Sequence, residues 1–213
     1  MIPAEAAGLW LAWSGIVLLG VYHGVNPGMG WLLAVARGMQ ERSRRAVVRS
    51  LLPIAVGHEA SIAVVLLVTA AAQPFLTARV MRLAAAVVLA AVAGWLLWRR
   101  RVHPRGFGMR MGAVDLCRWS FLMSTAHGAG LMLVPLLLGI GAGSGEAALP
   151  GTLSLAVMAA FVHTAAMLAG MGAVALVVYE RLGLRLLRRA WVNLDLAWAG
   201  ALLVAGAFAI FTA

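Results

Sequence analysis

The sequence has no lysine, a single cysteine and only seven acidic residues among 213. A lone thiol, Cys117, cannot cycle between dithiol and disulfide within one chain, which argues against a transmembrane thiol–electron carrier. The scarcity of acids leaves a formal net charge of +10, carried by 17 basic residues that are all arginine; nothing in the composition gives a physical reason for that choice. Charge of either sign is scarce, at 11% of residues against 63% hydrophobic, far beyond the apolar share of a soluble domain. The N-terminal "MIPAEAAG" lacks the basic region of a signal peptide, so the first apolar run is expected to be retained as a helix. Also missing are HExxH, Gly-x-Ser-x-Gly and a phosphate-binding glycine loop. No catalytic residues are therefore expected, and the chain does not read as an enzyme.

What the sequence does have is apolar runs of about twenty residues or more, one after another, which predict an all-α, multi-pass membrane protein. Six spans are expected, from about Gly8 to Ala36, Ala46 to Ala72, Leu76 to Trp98, Asp115 to Gly141, Leu149 to Tyr179 and Trp191 to Phe211. Fifteen of the 17 arginines fall in or beside the connectors after spans 1, 3 and 5; Arg79 and Arg82 fall on the other side, with Glu5 and Glu146. Basic residues confined to short connectors mark topology rather than nucleic-acid binding. The positive-inside rule places both termini outside the cytoplasmic (inner) membrane of a bacterium. The connectors are too short to build a separate core, so residues 1–213 form one transmembrane domain. Its expected partners are the lipid bilayer, a small cation or solute and, in a homo-oligomer, further copies of the chain.

The second half echoes the first. His23-Gly24 matches His127-Gly128 at an offset of 104 residues, His58 matches His163 at 105, and Arg79/Arg82 matches Arg185/Arg188 at 106. These offsets predict a three-helix unit used twice: repeat 1 over 8–98, a cytoplasmic basic loop over 99–114, and repeat 2 over 115–211. A unit with an odd number of spans enters the membrane from opposite sides in its two copies, giving an inverted repeat, typical of secondary transporters.

Each of these four histidines lies about 12 to 15 residues from an end of its span, or roughly 18–22 Å, and so near the bilayer midplane. The stretch "GVYHGVNPGMGW" interrupts the first span at that depth. Pro27 has no N–H, so the carbonyl of His23 is expected to lose its partner, with Asn26 on the same face if the helix continues. Irregular backbone at this depth is tolerated where it lines a cavity or is buried in protein. Gly20, Gly24 and Gly28 form a ladder that lets another helix approach closely. Glu59 follows His58, an ionisable group costing about 3 kcal/mol near the bilayer centre. Ser61 shares the His58 face, Met123 and Ser124 the His127 face, and Met167 and Met171 the His163 face. Asn193 and Asp195 sit shallowly in span 6, within reach of Arg188 or Arg189. Neutral imidazoles suit Zn, Cu, Ni, Co or Fe.

"GVYHGVNPGMGW", followed by "PIAVGHEASIAVV", resembles the NicO-type nickel/cobalt transporters and the UreH-like membrane proteins, within the LysE-type superfamily of small exporters. "STAHGAGLML" and "AFVHTAAML" resemble the second half of such proteins. The likeness covers most of the chain through short motifs, and the chain departs from the pattern. His23 keeps the first place of the family's first-helix motif and His58 the histidine of the next helix. Asn26 stands where an acidic residue is common, and Met29 where a second histidine would stand.

The resulting expectation is a secondary transporter of a transition-metal cation. His23, His58, His127 and His163 would form its central site. Asn26, Pro27, Met29, Glu59, Ser61, Met123, Ser124 and Met167 would support the site or line the path, with Glu59 exchanging protons or balancing charge. Two further readings remain open. One is an intramembrane redox or metal enzyme, for example with haem between two histidines. The other is an exporter of another small solute or a non-catalytic accessory protein.

Overall fold

A computed structural model of the chain describes residues 4–72, 74–98, 111–144 and 149–182, together with 200, 202–204, 206–207 and 210–211. Among these the architecture is all-helical: α1 (Ala4–Val25), α2 (Trp31–Gln40), α3 (Arg44–Ala72), α4 (Ala78–Trp98), α5 (Ala113–Ala126), α6 (Ala129–Ser144) and α7 (Leu149–Val177). A 3₁₀ turn at Pro27–Met29 joins α1 to α2, and a π turn at Val178–Leu182 closes α7. Most of the expected basic loop 99–114, and Glu146, Arg185, Arg188, Arg189, Asn193 and Asp195, lie outside the described residues.

Three of the described segments are long and apolar enough to cross a membrane: Gly8–Val25, Arg44–Ala72 and Leu153–Arg181. The bent pair α5–α6 makes a fourth if it is counted as one crossing. The distribution of side chains is the reverse of a soluble protein's. Leu18, Leu52, Val68, Val87 and Phe161 are exposed, while His23, His58, Ser50, Ser120, Ser124 and His163 are fully buried. Large apolar surface facing outward with polar groups inside suits a lipid environment.

The two halves of the chain pack crosswise. α1 lies against α7, and α3 lies against α5. Both seams are closed by glycine. A β-carbon on Gly24 would run into the Met167 carbonyl oxygen, and one on Gly57 into the Cys117 carbonyl oxygen. Backbones this close bring the side chains beside them into contact across the seam. α2 runs on alongside the first half of α3 and the end of α7, where Gly38 is wedged between Val47, Ser43 and Tyr179. On α4, Met81, Ala85, Leu89 and Ala93 are buried at four-residue steps, one stripe of a helix packed on one side. Leu89 reaches Gly128, at the break between α5 and α6.

The first span is thus two helices rather than one kinked helix. α1 stops at Val25; Asn26 is extended (φ −69°, ψ 123°), and Gly30 is left-handed (φ 118°). Asn26 therefore does not share a helical face with His23. The expected release of the His23 carbonyl is also corrected, because it shares the Asn26 N–H with the Tyr22 carbonyl, at 3.3 Å each. Loss of the bond to residue 27 is thus made good by a tighter one from residue 26. The fourth span, expected to run unbroken from Asp115 to Gly141, is interrupted as well. His127 ends α5, Gly128 is left-handed (φ 67°), and the chain turns by 54° into α6. Both interruptions fall beside the His-Gly pairs that match in sequence.

Candidate functional site

His58 stands at the midpoint of the 29-residue α3, and His163 at the midpoint of the 29-residue α7. His23 comes to their level three residues before the first break. The three rings meet. Ring centroids lie 5.6 Å apart for His23 and His58, 5.0 Å for His23 and His163, and 5.4 Å for His58 and His163. The crosswise packing makes this triangle, since it draws one ring from α1, one from α3 and one from α7. His127 sits beside it at the second break, within electrostatic reach of His23.

Hydrogen bonds hold each ring by Nδ1. His23 Nδ1 lies 2.8 Å from the Leu19 carbonyl oxygen, His127 Nδ1 2.6 Å from that of Met123, and His163 Nδ1 3.3 Å from that of Ile16. A carbonyl oxygen only accepts. In the neutral ring, therefore, Nδ1 carries the proton and Nε2 the lone pair. His23 and His127 use the same device, each bonding the carbonyl four residues back. His58 and His163 instead bond across the seams, His58 Nδ1 to Ser124 Oγ at 2.6 Å. Ser61 reaches Thr125 Oγ1 at 2.9 Å. Thr125 in turn donates to the Phe121 carbonyl at 2.8 Å, so in this chain Ser61 is the donor to Thr125.

Two ring nitrogens of the triangle, His58 Nε2 and His163 Nε2, are buried with no hydrogen-bond partner, as are Ser120 Oγ on α5 and Thr164 Oγ1 on α7. His23 Nε2 is buried with them. An unsatisfied buried group costs about 1–3 kcal/mol. The two ring nitrogens face each other's helices in the triangle, which is where a ligand would repay binding.

A metal held by imidazole Nε2 at about 2.0–2.1 Å has ring centroids about 3 Å from the ion and about 5 Å from one another. The observed separations match that spacing. The orientations do not: His58 and His163 are stacked, with an interplanar angle of 11°, whereas ligands converge on an ion edge-on. As the rings stand, no group of three His, Cys, Asp or Glu among the described residues is placed to hold a metal ion.

The supporting residues fall into two groups. Asn26 is buried and caps the turn, its Oδ1 accepting the Gly28 N–H at 2.7 Å. Pro27 begins the turn, and Met29 within it is fully buried. Met167 and Met171 are fully buried one and two turns beyond His163. Met123 reaches the bend, its Cε 3.8 Å from where a β-carbon on Gly28 would stand, with His127 Cε1 3.9 Å from the same point. Glu59 is only half-buried and makes none of the ring contacts.

Two tryptophans that sequence reasoning passed over hold the first break together. Trp31 Nε1 donates to the Val25 carbonyl at 2.9 Å, and Trp119 Nε1 to the Gly28 carbonyl at 3.1 Å. Two carbonyls of the break are thus satisfied by indoles, while those of Asn26, Pro27 and Gly30 accept backbone N–H groups. Trp31 closes the stretch "GVNPGMGW" and was legible as part of it; nothing in the sequence points from Trp119 to Gly28. The hydroxyls of Ser120, Thr125 and Thr164 were also passed over, although each stands beside or one turn from a residue that had been singled out. Comparison of the chain with protein-family models, with curated proteins and with solved structures finds no match.

Proposed function

We propose that this protein is a secondary transporter of a transition-metal cation, with His23, His58 and His163 as its central site and His127 beside it. One observation carries the reading: three imidazoles from three helices meet at the midpoint of the two longest, with Nδ1 of His23 and His163 committed to carbonyls. That tautomer presents the Nε2 lone pair and is the one a carbonyl-braced metal ligand adopts. Loading requires the His58 ring to turn off the face of His163. Its Nδ1 partner, a serine hydroxyl, donates or accepts as needed and does not oppose the turn.

The reading includes six spans and two inverted three-helix repeats with both termini outside. It is supported by the matched breaks at Asn26–Gly30 and His127–Gly128, and by the crosswise pairing of α1 with α7 and α3 with α5. Paired broken helices at one depth are where transporters of this architecture bind their cargo. The resemblance to NicO-type and UreH-like proteins points the same way. Protons compete with the cation for Nε2, which couples transport to pH.

The test is cellular metal content and metal tolerance in strains carrying His23→Ala or His58→Ala at normal protein levels. Altered content is expected; values unchanged for every transition metal would overturn the proposal.

A further inference from the structure

The donor set that surrounds the triangle narrows the cargo. Of the seven acidic residues in the sequence, Glu41 and Glu180 are occupied at the arginine-rich end, paired with Arg37 at 2.8 Å and Arg44 at 3.2 Å. Asp115 caps α5, its Oδ2 accepting the Gly112 N–H at 3.0 Å. Glu59 is half-buried on α3, about 100° around the helix from His58. Among the described residues, then, no carboxylate joins the three rings. The groups in contact with the rings are neutral: the other imidazoles, the Ser124 hydroxyl and the backbone carbonyls of Leu19 and Ile16, with buried thioethers on the adjoining turns.

Buried methionines occupy the turns next to the rings. Met29 is fully buried in the first break, and Met167 and Met171 are fully buried on the helix that carries His163. These three belong to one buried cluster. Met123 and His127 flank the Gly28 bend from the second break. Gly24, one residue beyond His23, abuts the Met167 carbonyl and the Met171 amide, so the methionine-bearing turns are pressed against the histidine-bearing turn of α1.

Two physical arguments act on such a site. The cost of drawing an ion out of water rises with the square of its charge, and a neutral donor set does nothing to cancel a second charge. Thioether and imidazole are soft to borderline donors, and soft donors select the cuprous ion over the harder divalent ions. We infer that the cargo is a soft monovalent cation of the cuprous class, bound by the three histidines with thioethers of Met29, Met123 or Met167 beside them, rather than nickel, cobalt or zinc. The inference rests on the proposed transport reading. It assigns to the methionines a ligand role in addition to packing.

Equilibrium dialysis of the purified full-length chain in detergent separates the two claims. Silver ion serves as the redox-inert probe, in a Cys117→Ser background because the free thiol of Cys117 would itself take up silver or cuprous ion. Cuprous ion is presented without oxygen against a chromophoric competitor, and Ni(II), Co(II) and Zn(II) are tested in parallel. The expected result is one silver or cuprous ion per chain, not displaced by an excess of the divalent ions. Met167→Leu, which keeps the buried volume, and His58→Gln should each weaken it on the order of tenfold or more. Binding of a divalent ion that silver does not displace would overturn the inference and leave the transporter reading standing. Failure to bind any of these ions would overturn both. Silver binding unchanged in Met167→Leu, Met123→Leu and Met29→Leu would remove the methionines from the site.

Discussion

Replacing Gly24 by alanine adds one methyl group at the seam between α1 and α7. That methyl would collide with the Met167 carbonyl oxygen and lie 2.8 Å from the Met171 amide nitrogen, both of them backbone atoms that no rotamer change can move. The helices must part by roughly 1 Å, and overpacking of this kind costs ~1–3 kcal/mol. Against it stands the gain of alanine over glycine in a helix, about 1 kcal/mol. Gly94→Ala isolates that gain, because Gly94 lies within α4 and a β-carbon there meets nothing within 4 Å. The difference in stability between the two variants is therefore the steric cost alone. Reversible unfolding in mixed micelles, titrated with a denaturing detergent, should show Gly94→Ala at or above the parent and Gly24→Ala below it. The gap between them should be about 1–3 kcal/mol. Gly57→Ala should behave like Gly24→Ala, since its β-carbon would meet the Cys117 carbonyl at the other seam. If Gly24→Ala and Gly94→Ala proved equally stable, the close approach of α1 to α7, and the ring triangle built on it, would be wrong.

Trp31→Phe keeps the ring but strands the Val25 carbonyl, and should cost about 1–3 kcal/mol in the same titration. Trp119→Phe acts on the Gly28 carbonyl of the same break, and a double-mutant cycle should show the two coupled by at least about 0.5 kcal/mol. Ser124→Ala removes the hydroxyl that orients His58. It should lower cation affinity on the order of tenfold while leaving the purified protein folded, as dialysis and gel filtration would show. Lowering the pH places a proton on Nε2 and removes the lone pair, so uptake into proteoliposomes should fall as the pH is lowered and recover as it is raised. A profile that stays flat down to the acid limit of the folded protein would count against ligation by histidine.

The sequence revealed where the key residues stand along their helices but not their partners. The placement of His58 and His163 at the middle of long apolar helices follows from counting residues between basic connectors, because helical rise is uniform. The interruption at Pro27 was legible because a ring nitrogen without hydrogen cannot be disguised. That at His127–Gly128 was not, since a histidine and a glycine also stand comfortably inside a helix. Its signal lay in the match to the first half. Pro27 also showed how local reasoning overreaches. Removing one donor does predict an unpaired carbonyl, but the backbone tightened by one residue and Asn26 supplied the replacement. Sequence spacing could not foresee that His127 would stand beside the ring triangle rather than within it, because equal depth says nothing of the direction in which a ring points. The indole staples from Trp31 and Trp119 are long-range in different degrees. The first spans six residues and is a matter of local geometry, while the second joins residues 91 apart and exists only once α5 is in place.

The crosswise pairing has a consequence for how the protein is made. Helices enter a membrane in chain order, yet α1 finds its main partner only when α7 arrives, and α3 only when α5 does. His23 must therefore wait in the bilayer, or in the insertion machinery, until more than a hundred further residues have been synthesised, and His58 until Ser124, 66 residues on, arrives. A break that satisfies the Val25 carbonyl through Trp31 and leaves only that of Gly28 for Trp119 lets the first span be tolerated during that wait. Separately expressed halves should accordingly be unstable alone and should rescue one another when produced together.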